Sequence, residues 1–268
     1  MRKKLTLLWS IASLGATPLQ KLRLLFWCVY WFVAESRTWL PHPSARIRIR
    51  IEGVVRSVWL CGIGDVWVLN DVLVQREYDH GEAQPCETII DLGSNVGIST
   101  LFLALRYTSA HVYAVEPNPQ LRARLAYNLA GLANVSLHHL ALAEHDGEAV
   151  LHIGSNSAHS SLFSVPNAAT NVTVETVSPD SLLARLQLSQ VDLVKFDIEG
   201  AERFIFSAAF KAFNRVRRYM GEMHYDLMPV TREAVQALTS DYERVEEPIP
   251  GRERSMIYLR RKSAILSA

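Results

Sequence analysis

Cysteine is scarce: Cys28, Cys61 and Cys86 stand far apart in 268 residues, and no Cys-x-x-Cys pair occurs. That argues against a disulfide framework and a thiolate zinc site. Buried, reduced thiols are the reading that remains. An excess of one charge sign is missing too. The 28 basic and 27 acidic residues give a net charge of +1, so no strong pull toward nucleic acid is expected. Basic stripes interleaved with aromatics are absent from the main body. The longest unbroken apolar run, Leu24 to Ala34, has eleven residues, against the roughly 20 that a membrane span needs. No internal repeat or low-complexity tract is visible. With 49% hydrophobic residues, the chain can build a substantial core; its length is generous for one domain and short for two.

What is present centres on Thr88 to Thr100, TIIDLGSNVGIST. Ile89 and Ile90 read as a buried strand, and Ile98, Leu101 and Leu105 follow at helical spacing. Between them lies Asp91-Leu92-Gly93-Ser94-Asn95-Val96-Gly97. A strand that breaks at glycines and restarts as a helix lets a ligand approach the backbone closely and meet the free N–H groups of the helix start. The spacing Gly-x-x-x-Gly speaks against the dinucleotide fingerprint and against a Walker loop. The next apolar strand, HVYAVEPN, ends in Glu116. An acid there, about 20 residues past the glycines, is where doubly wound folds hold a ribose diol.

Asp-Leu-Gly-Ser-Asn-Val-Gly followed by Val-Glu-Pro-Asn resembles the first two motifs of the class I methyltransferases. VDLVKFDIEGAE (Val191 to Glu202) and YMGEMHYD (Tyr219 to Asp226) resemble the signature of the FkbM-type family within that class. The resemblance spans about Arg46 to Arg261. It implies S-adenosylmethionine as cofactor, with Gly93, Ser94, Asn95 and Gly97 around its methionine and ribose parts. It also implies Glu116 and Pro117 at the ribose and Leu142 and Ala143 near the adenine. Asp91 would stabilise the corner or meet the ligand through water. A cytoplasmic setting follows from that cofactor, although Arg2, Lys3 and Lys4 before Leu5, Leu7 and Leu8 superficially resemble a secretory signal.

The expected architecture is an α/β, doubly wound, Rossmann-like sheet over residues 86–262, closed by an antiparallel strand pair. A helical extension (1–43) and a small antiparallel β meander (44–85) precede it. Pro41 and Pro43 mark the first boundary. Arg46, Arg48 and Arg50 alternate with Ile47, Ile49 and Ile51, a strand with one wet face. Gly53, Gly62 and Gly64 predict further short strands through Val74. Tyr78 is placed to pack or to close over the cofactor. Helices are predicted over Val96 to Tyr107, from Asn118 as N-cap with Pro119 as first residue, and over Ala201 to Phe213. One strand is expected over Val135 to Leu142. His159 and Ser160 read as solvated loop residues. Around Leu19 to Ala34, the basic residues Lys21, Arg23 and Arg37 flank an aromatic-rich run. A helix buried against the main domain, a membrane-surface helix and a homodimer contact through residues 19–40 are all compatible with it.

Two strand ends, expected side by side, carry Asp197, Glu199, Glu222 and His224. Charged groups are rarely buried without partners, and ligands in open α/β sheets bind beyond the carboxyl ends of the strands. Methyl transfer to an alcohol calls for a base. His224 titrates nearest neutrality and is the first choice; Asp197, which would also touch the cofactor, is the second. Glu199 or Glu222 would orient base or acceptor. Lys195 would neutralise carboxylates nearby. No metal is assigned, although carboxylates with a histidine are a donor set for Mg²⁺ or Mn²⁺. The resemblance implies a small-molecule or glycan hydroxyl acceptor on a sugar or polyketide-type product. An N-methyl acceptor and a non-catalytic, membrane-peripheral cofactor binder are the alternatives.

Overall fold

The computed structural model describes residues 2–34, 37, 40–79, 85–154, 160–163 and 170–262. Two helices, α1 (Arg2–Ser13) and α2 (Pro18–Ala34), lead into an antiparallel hairpin of β1 (Ser44–Ile51) and β2 (Val54–Cys61). A short helix α3 (Ile63–Val68) follows and runs into a π-helical turn, Leu69–Val74. The Rossmann-like part then opens with β3 (Thr88–Leu92), α4 (Ile98–Arg106), β4 (His111–Val115), α5 (Arg122–Leu129) and β5 (Val135–His138). An insertion adds β6 (Ala141–Leu142), β7 (Gly147–Ile153), β8 (Ser160–Ser161) and β9 (Thr170–Val177), which form a separate four-stranded sheet. The chain continues through α6 (Pro179–Arg185), β10 (Leu193–Phe196), α7 (Glu202–Ile205), β11 (Arg218–His224), α8 (Arg232–Leu238), β12 (Tyr242–Pro248) and β13 (Arg254–Arg261).

The main sheet has the order β12-β13-β11-β10-β3-β4-β5. The strands β11, β10, β3, β4 and β5 are parallel, and β13 and β12 close the edge antiparallel. Succession runs one way from β3 and the other way from β10, so the topological switch lies between these neighbours, the place where open α/β sheets bind ligands. Alternation along the strands divides the core. Ile89, Leu193, Met220 and Met256 pack with α2, α4, α5 and the hairpin. Ile90, Val194, Tyr219 and Ile257 pack with α6, α7 and α8.

Four expectations are corrected. The meander ends after one hairpin: Val66, Leu69, Asn70 and Leu73 are buried at three- and four-residue spacing, which a helix satisfies and a strand does not. The helix expected from Pro119 begins at Arg122; Asn118 accepts from the Gln120 N–H in a preceding turn. The strand expected over Val135 to Leu142 divides between two sheets. The long helix after Gly200 is one turn, α7, followed by irregular chain and a 3₁₀ turn at Phe213–Arg215.

The switch point rests on a buried ion pair. Lys195 Nζ lies 3.0 Å from Asp91 Oδ1 across the β10–β3 pair, with side chains 2% and 0% exposed. Nζ also donates to the Gly93 and Leu92 carbonyls. The other Asp91 oxygen accepts from Ser99 and Thr100 at the start of α4. Asp91 therefore ties strand, turn and helix together, and the partner of Lys195 is this acid. Removing one member of such a pair strands a charge in a dry interior. Lys195→Met is expected to cost about 3–5 kcal/mol, read as a lower urea midpoint at unchanged slope.

Candidate active site

The glycine corner is built by close approach. Gly93 sits at φ 77°, and a Cβ there would lie 1.9 Å from the Asp197 carbonyl oxygen. Only glycine brings the β3 and β10 ends this near. Gly97 caps α4 at φ 87°. Asn128, fully buried on α5, donates to the Val96 carbonyl and accepts from the Trp59 N–H, which fixes the corner to the hairpin. Glu116, at the end of β4, accepts from the Asn95 N–H at 2.8 Å and the Asn118 N–H at 2.9 Å. Burial pushes its carboxyl up to about 7, against the lowering by these two donors.

A cleft of about 660 Å³, counted to its open mouth, runs between these parts. Of the residues expected at the cofactor, Gly93, Asn95, Glu116, Pro117, Leu142 and Asp197 line it, while Asp91, Ser94, Gly97 and Ala143 do not. Asp91 and Ser94 lie beneath the corner as structure, Ser94 Oγ donating to the Asp91 carbonyl. The insertion sheet supplies walls that were not foreseen, Leu151 and Leu162. Ser160, expected as a solvated loop residue, lines the cleft and receives the Asn118 amide at 3.1 Å; His159 falls outside the described residues. Tyr78 is buried over Lys195, 5.2 Å from ring centre to Nζ, and does not reach the cleft wall.

Beyond the cleft floor, β10 and β11 bring Asp197, Glu199, Glu222 and His224 together. His224 is fully buried. Its Nε2 stands 3.5 Å from Glu199 Oε2, 3.6 Å from Glu222 Oε1 and 3.9 Å from Asp197 Oδ1. Its Nδ1 lies 2.9 Å from Glu202 Oε1. Glu202 is buried as well and accepts the Ile198 and Gly200 N–H groups. Burial acts against a charge on the His224 ring, but Glu202, Asp197 and Glu199 outweigh it and raise the imidazole to about 10. Burial also raises the Glu199 and Glu222 carboxyls. Asp197 and Glu199 line the cleft; His224 and Glu222 stand behind them.

Sequence reading missed three acids. Glu202 was visible only as the final residue of VDLVKFDIEGAE. Asp71, on the π-helical turn, and Glu77, just after it, stand near the rim. Burial, then Asp71, Asp197 and Glu222, pushes Glu77 up to about 8; burial first, then Asp197, also raises Asp71. A π-turn often marks a functional site, but no spacing in the sequence announces one.

The chain is similar to known methyltransferases. The model of the methyltransferase FkbM domain matches residues 91–242. The hexuronic acid methyltransferase AglP of Haloferax volcanii is 23% identical over 208 residues, covering 74% of this chain and 84% of that protein. The 31-O-demethyl-FK506 methyltransferase FkbM of Streptomyces tacrolimicus is 23% identical over 192 residues, 59% of this chain and 74% of its own. A solved Methanococcus jannaschii fibrillarin pre-rRNA processing protein aligns with a TM-score of 0.45 at 13% identity, over 84% of this chain and 99% of that one. Since the domain match takes in both the glycine corner and the acidic rim over more than half the chain, the protein belongs to the FkbM methyltransferase family.

Proposed function

We propose that this methyltransferase moves a methyl group from S-adenosylmethionine to a hydroxyl on a sugar or polyketide-type product. The observation that carries the reading is the joining of Gly93, Asn95 and Glu116 with Asp197 and Glu199 in one cleft at the switch point. The named relatives act on a hexuronic acid and on a demethylated product oxygen. The cofactor, when bound, supplies a methyl activated on a sulfonium. The acceptor oxygen forms the new C–O bond, the C–S bond breaks with its electron pair left on sulfur, and the hydroxyl proton passes to a base. Glu116 holds the ribose diol through the lone pairs its two backbone donors leave free. Leu142 and Leu151 offer apolar walls to the adenine.

In this reading the base is Asp197 rather than His224. Asp197 lines the cleft with its side chain 37% exposed, whereas the His224 ring is wholly enclosed. Loss of a general base costs about 10²–10⁴ in rate. Asp197→Asn should therefore lower the single-turnover rate by that range while cofactor affinity, read by calorimetry, changes only a few-fold. Equal turnover would remove Asp197 from the role. Incubation with methyl-labelled cofactor and panels of uronic acids and polyketide alcohols, read by mass spectrometry, tests the acceptor class.

Glu116 gives the cofactor site a pH signature. Its carboxyl sits near 7 in the free protein, and the ionised form accepts both ribose hydroxyls. Binding therefore draws the proton off. Affinity should rise from pH 6 toward pH 8 and level off above, with proton release on the acid side. Glu116→Gln should flatten this profile and weaken binding about tenfold at pH 8, the scale of a lost charged hydrogen bond. A wild-type affinity that is flat with pH would contradict the assignment.

The α1–α2 segment rests on an anionic lipid surface in this reading. No helix among the described residues is long and apolar enough to cross a membrane. On α2, Leu24, Trp27, Cys28 and Trp31 face the core, while Leu19, Leu22, Phe26, Val29 and Val33 form an exposed stripe on the other side. Trp9 on α1 is 66% exposed. Residues 2–34 contain Arg2, Lys3, Lys4, Lys21 and Arg23 and no acid. Apolar stripe and basic charge together suit a surface helix on anionic lipid. The protein should pellet with phosphatidylserine-containing vesicles and not with phosphatidylcholine alone, and Leu22→Gln with Phe26→Gln should release it. A protein left in solution by both vesicles, or a dimer in sedimentation velocity that the double variant dissolves, would overturn lipid as the occupant.

A further inference from the structure

We propose that Asp197, Glu199 and His224 bind a divalent cation of the Mg²⁺ or Mn²⁺ class. Building on the methyl-transfer reading, this cation receives the acceptor's hydroxyl. One donor atom from each of the three residues lies within 4.8 Å of the others. Metal–oxygen distances of about 2.1 Å put opposed donors about 4.2 Å apart, so small side-chain rotations close the set.

The histidine gives the direction. Glu202 is an acceptor for two backbone N–H groups and so meets His224 as a carboxylate that wants an N–H. It holds the proton on Nδ1. The fully buried Nε2 has no hydrogen-bond partner among the described residues and points at Asp197, Glu199 and Glu222. A carboxylate fixing one imidazole nitrogen while the other faces a cluster of oxygen donors is the arrangement that orients histidines toward metals. A cation bound there takes the place of the Nε2 proton among the three carboxylates.

Charge balance supports the same occupant. Asp197, Glu199, Glu202 and Glu222 converge here. Arg254 offers one guanidinium, 3.4 Å from Glu222 and 3.8 Å from Glu199, and shares it with Asp226. Lys195 is committed to Asp91 and the Gly93 carbonyl. Among the described groups the acids outnumber the cations even when the ring is charged. Glu199 is also held at φ 48°, ahead of Gly200 at φ 99°, a left-handed turn that brings its carboxylate back to the ring. Strain of this kind collects at ligand sites. Two carboxylates favour Mg²⁺ or Mn²⁺, and the single imidazole shifts preference from Ca²⁺ toward Mn²⁺. Bound there, the cation makes a hydroxyl more acidic and can hold two neighbouring oxygens of a sugar. The second Asp197 oxygen stays available for the proton.

The test uses the full chain, dialysed against chelator, with no cofactor present. Titration with Mn²⁺, followed by the electron paramagnetic resonance of the free ion, should show one site per chain, and Mg²⁺ should compete. Glu199→Gln should weaken Mn²⁺ at least tenfold. Glu202→Gln, a change behind the ring, should weaken it about 10–100-fold. Unaltered far-ultraviolet circular dichroism and a cooperative thermal melt show that both variants are folded. Absence of Mn²⁺ binding up to millimolar concentration, or equal binding in folded Glu199→Gln, overturns the site. Mn²⁺ binding in a wild-type protein that does not take S-adenosylmethionine would leave the site standing and remove the methyl-transfer reading.

Discussion

The fold depends on one buried charge pair more than on any other contact. Asp91 and Lys195 meet at the centre of the sheet, where desolvation alone would make either prohibitive. What repays the burial is the number of groups each holds: two hydroxyls at the head of α4 for Asp91, two carbonyls of the turning chain for Lys195. The pair thus sets the depth and orientation of the β3 and β10 ends. Gly93 accepts the consequence, since no side chain fits between its Cα and the Asp197 carbonyl. Cleft and acidic rim lie at these two ends. A hydrophobic substitute could fill the space, but it could not orient the carbonyls.

Much of this was legible in the sequence because it is local and periodic. The corner from Thr88 to Thr100, the acid ending the next strand and the apolar strand ending in Asp197 are each read from contiguous residues. So was the closing antiparallel pair around Pro248 to Gly251. Elements failed where another signal competed. The run Val66-Trp67-Val68, of β-branched and aromatic residues, resembles a strand locally, and only its later partners Leu69, Asn70 and Leu73 reveal a buried helical face. Val135 to Leu142 reads as one strand, because nothing local records that its two halves join different sheets.

At the site, sequence identified residue types at strand ends but not what lies behind them. Glu202 sits past a glycine in a motif whose acids all look alike. Its role appears only when the chain folds back so that its carboxylate caps Ile198 and Gly200 and reaches His224. Likewise Lys195 reads as a neighbour of Asp197 and Glu199 along the strand. Its ammonium turns instead to Asp91 on the neighbouring strand, leaving the two downstream carboxylates without it. Period two sets residues 195, 197 and 199 on one face, so neither that separation nor the identity of the partner comes from spacing.

That separation gives the active region two electrostatic halves. On the Asp91 side every charge is matched and dry, which suits a rigid floor. Beyond the end of β10, acids gather around one enclosed imidazole with Arg254 at the margin, which suits a place completed by something positive. In the proposed reading, a cofactor whose sulfonium carries positive charge enters the cleft between Glu116 and Asp197. The acidic rim then does two things at once. It favours entry of the cationic cofactor over its neutral thioether product, and so helps release after transfer. It also opposes formation of an alkoxide beside so much negative charge. A base alone does not remove that second penalty, because each acid that takes a proton leaves its neighbours unchanged. A cation among Asp197, Glu199 and His224 removes it directly, since it lowers the local potential where the acceptor oxygen loses its proton.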